Sequence, residues 1–557
     1  MTGNDNNELV FAPLGGVGEI GMNFALYGYG PAAKREWIIV DCGVTFPGPD
    51  LPGVDLVLPD TKFIENEVKN LAGMIITHAH EDHYGAILDI WPKLGCPVWM
   101  SPFTAGLLEA KRESEYQRVK VPIRIFKPRQ AFDVGSFRIE PVPVTHSIPE
   151  PYSLAITTPL GTVIHTGDWK FDAEPAIGPL TDKPRLSELG DKGVLALICD
   201  STNAMVEGES PTEHEVNQSL RKIIEREPGR VIITTFSSNV GRIRSIAEAA
   251  RDAGRKLLVL GRSMKRVIEV AGDLGYLDGL PEFLAEEDYG YLPRENVVVL
   301  CTGSQGEPRA ALSKLARDEM RNVHVTAGDT VIYSSRTIPG NEKAILEIKN
   351  QLIEKGVKII EDRDELVHVS GHPRRGELRE MYRLVRPEIA VPVHGEAAHL
   401  VAHASLASSE GIGQVASVRN GDLLRLAPGL AEIVGEVHHG RTFKDGNLYG
   451  NDQEIGVLDR RKLSYAGHVC FNVILDNKYD LLDEPDIEAI GLPEMDGQGQ
   501  YLEDRLLEAA VGAIESIPRG KRKDLDLVAE SARRAIRAEA RDVWGKKPIV
   551  TVFVSRV

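Results

Sequence analysis

At 557 residues the chain is too long for a single hydrophobic core and calls for roughly two to four domains. Its 42% hydrophobic and 26% charged content is that of a soluble globular protein, and no apolar run approaches the ~20 residues of a membrane-spanning helix. A formal charge of −17 excludes a protein that coats nucleic acid through bulk positive charge, while leaving room for a local basic groove.

The chain opens MTGNDNNELVFAPLGG, without a basic segment or a long apolar one, so no secretory leader is expected. Cys42, Cys96, Cys199, Cys301 and Cys470 are scattered, odd in number and free of any C-x-x-C pair, which predicts buried free thiols and a cytoplasmic setting. Up to about residue 210, short apolar strands alternate with Gly/Pro turns (WIIVDCG, AGMIITH, FRIEPVPVTH, YSLAITT, GTVIHTGD, VLALICD) and predict sheets packed face to face. From Pro211 to about Asp364 helix and strand alternate at βαβ spacing, which predicts a parallel sheet. IAVPVHGE is a further buried strand, and residues 431–456, rich in Gly, His and charge, read as a linker. The remainder holds a strand pair (SYAGHVCFNVILD), two helical stretches and a closing strand (PIVTVFVSRV), a small α+β domain.

Near the start, Gly16, Gly18 and Gly21 satisfy G-x-G-x-x-G, with Asp41 about twenty residues later, as in a dinucleotide-binding turn. Such a turn must open a helix whose N-terminus faces the pyrophosphate. GMNFALYGYG reads instead as a strand of a hairpin, so NAD binding is not predicted.

The densest chemical signal is Thr77-His78-Ala79-His80-Glu81-Asp82-His83, directly after an apolar strand. His78, His80, Asp82 and His83 offer four ligands within six residues, presented where a strand ends. Packing has no use for three imidazoles and two carboxylates so close together. Imidazole nitrogen and carboxylate oxygen are the donors that borderline and harder divalent ions prefer, so the cluster predicts metal.

This H-x-H-x-D-H string resembles the signature of the metallo-β-lactamase superfamily, and that resemblance implies an α/β fold, an αββα sandwich. It implies one ion on His78 and His80 with His146 of PVPVTHSIP, and a second on Asp82 and His83 with His394 of IAVPVHGE. Asp168 of HTGDWKFD would bridge them, and Asp41 of IIVDCG would orient ligand histidines from behind. Two ions about 3.5–4 Å apart would share a water, lower its pKa and clamp the oxygens of an in-line displacement.

More than two hundred residues separate Asp168 from His394, and an insertion of this kind resembles the β-CASP domain of nucleic-acid-processing members. The further motifs of that group are met by Asp200 in LALICDSTNA, His372 in HVSGHPRRGE, and His394. HEDHYGA, TGDWKFD, CDSTNA, TGSQGEP, IPGNE, VSGH and PVHGE, in this order, resemble the bacterial ribonuclease J family over essentially the whole chain. Ala79 stands where that family often has Gly, Tyr84 where a smaller aliphatic is frequent, and Pro373 is a further local variation.

The resemblance implies a metallo-β-lactamase domain over 1–210 and 365–445, a β-CASP domain over 211–364, a linker over 446–460 and a C-terminal α+β domain over 461–557. It further implies a metal-dependent ribonuclease with 5′-to-3′ exonuclease action favouring 5′-monophosphate ends, and endonuclease action, in RNA maturation and decay. Its cofactors would be two divalent ions, Zn or Mn. Its partners would be single-stranded RNA, its own copies in a homodimer or homotetramer, and an RNA-degradation complex, with no membrane.

The residues themselves support parts of this. Ser370, Gly371 and His372 bring hydroxyl, backbone N–H and imidazole donors together for phosphate oxygens. His372, paired with Asp200, would stay protonated and assist a leaving 3′-oxygen, so that Asp82, Asp168, Asp200 and His372 form the expected catalytic set. Ser237, Ser238 and Asn239 follow a strand and open a helix in TTFSSNVGR, which suits either a phosphate site or a plain helix cap. Phe236 beside them suits a core aromatic better than a base-stacking one. Histidines outside the motifs, His165 and His403 among them, are expected to be solvated or simply hydrogen-bonded. The competing readings are a hydrolase of a small ester, lactone or thioester on the same fold, a flavodiiron protein (in which Glu replaces the second histidine, here His80), and a non-catalytic scaffold.

Overall fold

The computed structural model describes residues 7–115, 118–338 and 340–557; the first six residues of the opening string and Pro339 of IPGNE lie outside the described residues. The chain divides into two compact units, one running to Arg441 apart from Phe46–Leu56, the other comprising Phe46–Leu56 and Thr442–Val557.

In the first unit, Asn7–Gly15 and Phe24–Pro31 form an antiparallel hairpin with Leu9 opposite Tyr29 and Phe11 opposite Tyr27. The glycine-rich turn between them opens no helix, and Gly16, Gly18 and Gly21 all take positive φ. This hairpin anchors an eight-stranded sheet that continues through Glu36–Val40, Leu71–Ile75, Val98–Met100 and Ile123–Ile125 on one side, and Asp422–Ala427 and Glu432–Glu436 on the other. From Glu36–Val40 onward the strands pair in parallel, and parallel strands need crossovers; helices such as Ile87–Leu94 and Pro102–Ser114 supply them.

A second sheet runs in the order Gln414–Val415, Pro387–Val393, Val194–Asp200, Gly161–His165, Tyr152–Thr158, Phe137–Pro143 and Phe132–Val134. The facing sides of the two sheets share one core, with Phe11, Tyr27 and Val40 from the first and Leu154, Ile156, Ile198 and Val391 from the second. Helices Lys183–Lys192, Arg375–Val385 and Ala397–Ser409 cover the outer side of the second sheet through Leu186, Leu378, Met381, Tyr382 and Leu406. The result is an αββα sandwich.

Val194–Asp200 lies between Gly161–His165 and Pro387–Val393, parallel to both. The chain therefore leaves this sheet after Asp200 and re-enters it beside the same strand. Between the two passes it builds a separate sheet, wholly parallel, in the order Lys256–Leu260, Val297–Cys301, Val231–Thr234, Thr330–Tyr333 and Lys358–Ile360. Central strands such as VIIT and VVVLC are buried on both faces, hence continuously apolar rather than alternating. Helix Glu213–Arg226 enters this insertion from a capping box, Thr212 with Glu215. Fully buried Arg242 then binds Glu213 and the Val367 carbonyl, tying the first helices of the insertion to the segment that leads out of it.

The stretch 431–456, which reads as irregular, carries strands: Glu432–Glu436 on the edge of the first sheet, and a short hairpin pairing Phe443 with Gly450. Every residue of Glu432–Glu436 is exposed, so no apolar alternation marks it. The rest of the second unit is a three-stranded sheet in the order Asp486–Ile490, His468–Leu475, Ile549–Arg556, preceded by the helix Val457–Ala466. Val469, Phe471, Val473 and Leu475 alternate onto the face covered by Leu506, Ala510 and Ile514 of Leu502–Ser516 and by Ala532 and Ile536 of Leu525–Trp544. All five cysteines are free, four of them buried and Cys470 half-buried. Among the described residues no helix is long and apolar enough to cross a membrane.

Candidate metal centre

The predicted ligands all project from the ends of strands. His78, His80, Asp82 and His83 lie in the loop after Leu71–Ile75 and the short helix Glu81–Tyr84. His146 follows Phe137–Pro143, Asp168 follows Gly161–His165, Asp200 ends Val194–Asp200, and His394 follows Pro387–Val393. Asp41 and His394 both take left-handed backbone, with φ of 64° and 52°. Such a conformation costs of the order of 1–3 kcal/mol in a residue with a side chain and persists only where surrounding bonds impose it.

Ring orientation is set from outside the cluster. His146 Nδ1 donates to the Gly371 carbonyl at 2.6 Å and His83 Nδ1 to Asp41 Oδ2 at 2.7 Å, so each turns Nε2 inward. Asp41 is itself fixed by the Thr77 N–H at 2.8 Å and the Thr77 hydroxyl. Inside, His80 Nδ1 stands 3.1 Å from His78 Nε2 and 3.0 Å from His146 Nε2. Asp168 Oδ2 is 3.2 Å from His83 Nε2, and Asp82 Oδ2 is 3.3 Å from His394 Nε2. Three sets of ligand atoms result, each within 4.8 Å: His78, His80, His146 and Asp168; Asp82, His83, Asp168 and His394; Asp168, Asp200, His372 and His394. Asp168 belongs to all three.

The donors suit divalent cations. Burial drives His78 and His146 far below the usual imidazole range and His80 down to about 4, which leaves neutral rings with lone pairs to offer. Burial alone would raise Asp168, but His394 and His83 outweigh it and hold the carboxylate well below the usual range. Asp168 Oδ1 is buried and makes no hydrogen bond, although His394 Nδ1 lies 3.1 Å away. Among the described residues no lysine or arginine pairs with Asp82 or Asp168. Facing imidazole lone pairs and an orphaned carboxylate oxygen are costly without a cation between them.

Beside these sets, Asp200 Oδ2 accepts from His372 Nδ1 at 2.8 Å while its Oδ1 accepts from the N–H and hydroxyl of Thr202. Burial pulls His372 down, but Asp200 and Asp168 more than compensate and raise it, and among the described residues His372 Nε2 makes no hydrogen bond. Ser370 Oγ accepts from Asn203 Nδ2 at 2.9 Å and from the His372 N–H at 3.3 Å, so its own proton is available to donate. At Gly371 an added Cβ would come within 2.5 Å of His146 Nδ1, so only glycine fits. Ser237, Ser238 and Asn239 are not drawn into this network. Asn239 Oδ1 caps the helix Val240–Asp252 through the Arg242 N–H at 2.9 Å, and among the described residues no hydrogen bond links the three to the ligand sets.

Several participants carry no signal in the sequence pattern. Thr77, Thr202 and Asn203 are neutral loop residues of common type, and only the strings around them hint at a site. His165 and His403 fall to the ordinary reading of hydrogen-bonded histidine: His165 meets the Tyr27 hydroxyl at 2.9 Å, and His403 lies between Ser201 and Tyr382.

Successive parts of the chain match known protein families. Residues 36–187 match a beta-lactamase superfamily domain, 228–352 the ribonuclease J beta-CASP domain, 356–417 a Zn-dependent metallo-hydrolase RNA specificity domain, and 455–557 the ribonuclease J C-terminal domain. The chain is 62% identical to a ribonuclease J of Sinorhizobium meliloti over 99% of this chain and 98% of that one. It is 37% identical to a ribonuclease J of Mycobacterium tuberculosis, over 98% of this chain and 96% of that protein. A crystal structure of a protein of unknown function from Enterococcus faecalis shares the fold at 14% identity, with a TM-score of 0.52, covering 75% of this chain and all of that one. None of these matches supports a small-ester hydrolase or a flavodiiron protein. With a relative this similar over its full length, the chain belongs to the ribonuclease J family.

Proposed function

We propose that the chain is a metal-dependent ribonuclease that degrades single-stranded RNA from 5′-monophosphate ends in the 5′-to-3′ direction and also cuts internally. Family membership supports the ribonuclease activity in both modes, and the buried His/Asp cluster supports its metal dependence. His78, His80 and His146 would hold one divalent ion and Asp82, His83 and His394 a second, with Asp168 common to both. Zinc or manganese would suit this mix of imidazole and carboxylate. When bound, the ions supply positive charge at the phosphodiester and lower the pKa of water.

The chain's own groups account for the rest. The Ser370 hydroxyl and His372 Nε2 point donors at phosphate oxygens, and Ser237, Ser238 and Asn239 offer further contacts farther along the RNA. Because Nδ1 of His372 is committed to Asp200, the proton delivered to the departing 3′-oxygen leaves from Nε2. Asp41 keeps His83 in the tautomer that ligates. The domain limits that accompany this reading are 1–210 with 365–445, 211–364, a linker over 446–460, and 461–557. Assembly as a homodimer or homotetramer, association with an RNA-degradation complex and a cytoplasmic location belong to the same proposal.

One observation carries the reading: side chains from four other strand ends converge on Asp168. The test is digestion of one RNA bearing a 5′-monophosphate, 5′-triphosphate or 5′-hydroxyl. Mononucleotide release confined to the monophosphate form is expected, together with its loss in the double variant Asp82→Ala, His83→Ala. Equal release from all three ends would overturn the end preference, and persistent hydrolysis in the double variant would overturn the role of the cluster.

A further inference from the structure

The glycine-rich turn over residues 16–23 has the pattern of a dinucleotide loop but opens no helix, so its three glycines need another explanation. The turn lies between the two halves of the second ligand set. On one side, the Gly16 carbonyl accepts from the His394 N–H at 2.7 Å, and Val17 and Glu19 both form β-bridges with Gly395. These bonds grip the chain at the residue whose φ of 52° needs outside support. On the other side, the Asn23 N–H donates to the Asp82 carbonyl at 2.9 Å. Asn23 Nδ2 is 3.0 Å from the same carbonyl, 3.4 Å from Asp82 Oδ2 and 3.0 Å from His83 Nε2. Gly16 makes this packing possible, since a Cβ there would lie 2.3 Å from Asn23 Oδ1, at a φ of 83°. The turn is anchored at its back. Asn420 accepts from the Val17 N–H at 3.2 Å and donates to Glu19 Oε1 at 2.8 Å, while Arg441 holds Glu19 Oε2 at 2.8 Å.

We infer that the turn over residues 16–23 is a positioning element for the second ion: anchored through Asn420 and Glu19, it sets His394 with the Gly16 oxygen and sets Asp82 with Asn23. The inference rests on the two-ion reading above. Among the described residues no hydrogen bond or ion pair joins the turn to His78, His80 or His146, so its influence falls on one ion and not on the other. Among the described residues neither Asn420 nor Glu19, itself in the turn, forms a hydrogen bond or ion pair with a ligand. Asn23 acts directly on Asp82.

Cobalt(II) titration of the metal-stripped full-length protein, followed by visible absorption and calorimetry, tests this. Wild type should take up two ions in separable steps, of which His394→Ala removes one and His146→Ala the other. Asn420→Ala should weaken the His394-dependent step by about 10–100-fold, the usual effect of losing a group that orients a ligand, and leave the His146-dependent step in place. Asn23→Ala should weaken the same step. Should Asn420→Ala fail to fold, judged by melting of the metal-free protein, Glu19→Ala carries the same expectation. Glu19→Gln, which keeps an oxygen for the Asn420 amide, should then recover most of the affinity. Two unchanged steps, equal weakening of both, or selective weakening of the His146-dependent step would overturn the inference alone. Uptake of a single ion by wild type would overturn the two-ion reading, and the inference with it.

Discussion

His78, His80 and His146 on one side of Asp168, and Asp82, His83 and His394 on the other, are fixed by different means. The first set leans on neutral partners: the Thr77 hydroxyl at His78 Nδ1 and the Gly371 carbonyl at His146 Nδ1. The second leans on charge and on imposed backbone. Asp41, itself left-handed, pins His83; the strained His394 is held by Gly16 through its N–H and by Ser201 and Thr202 through its carbonyl. A charge-assisted bond to a carboxylate is stronger than one to a neutral carbonyl and raises the basicity of the ligating nitrogen. The first set therefore draws on two remote segments, His146 and the Gly371 carbonyl behind it, whereas the second is assembled from at least four. Distant changes should act unequally on the two.

The largest effect should follow from the residue the sets share. Asp168→Ala removes one ligand from each, and RNA hydrolysis should fall below detection with loss of both ions, read as turnover and as metal per chain. Full retention of one ion would show that Asp168 serves only one set. Asp41→Asn comes next: it keeps the shape but removes the charge behind His83, and the affinity for one ion should drop about 10–100-fold while the other changes little. Competition with a graded chelator measures both affinities, and equal losses would erase the distinction between the sets.

This inequality also explains what the amino-acid sequence discloses. The loop from His78 to His83 is visible because three imidazoles and two carboxylates in six positions have no packing role. Asp168, Asp200, His372 and His394 are visible through strand-end context and their order along a familiar pattern. The sandwich and the parallel insertion follow from alternating and from continuously apolar strands. Asn23, Asn203 and Thr202 remain hidden, because an amide or hydroxyl in a loop is common and its partner lies far away along the chain. Asn203, for example, reaches Ser370 and the His372 carbonyl. Asn239 shows the converse, a residue whose position suits both an anion and a helix cap and whose side-chain oxygen is engaged as the cap. Glu432–Glu436 escapes because an edge strand exposed at every position carries no period.

The smallest effect concerns the floor beneath the second set. His403, fully buried on Ala397–Ser409, joins Ser201 Oγ through Nδ1 and the Tyr382 hydroxyl through Nε2, both at 2.8 Å. The Ser201 N–H in turn donates to the His394 carbonyl. Burial pushes His403 down to about 4, whereas the unfolded chain presents an imidazole near about 6.5. Between these values the unfolded state binds the extra proton, so stability falls as pH drops through that window and is fully present above it. By pH 5 the loss from this one residue approaches about 2 kcal/mol. His403→Gln has no such proton to bind. The difference in melting temperature between pH 7 and pH 5, measured on metal-free protein, should shrink by roughly 2–4 °C relative to wild type. An unchanged difference would mean that His403 is not held neutral, and that the floor under His394 is not built on this hydrogen-bonded relay.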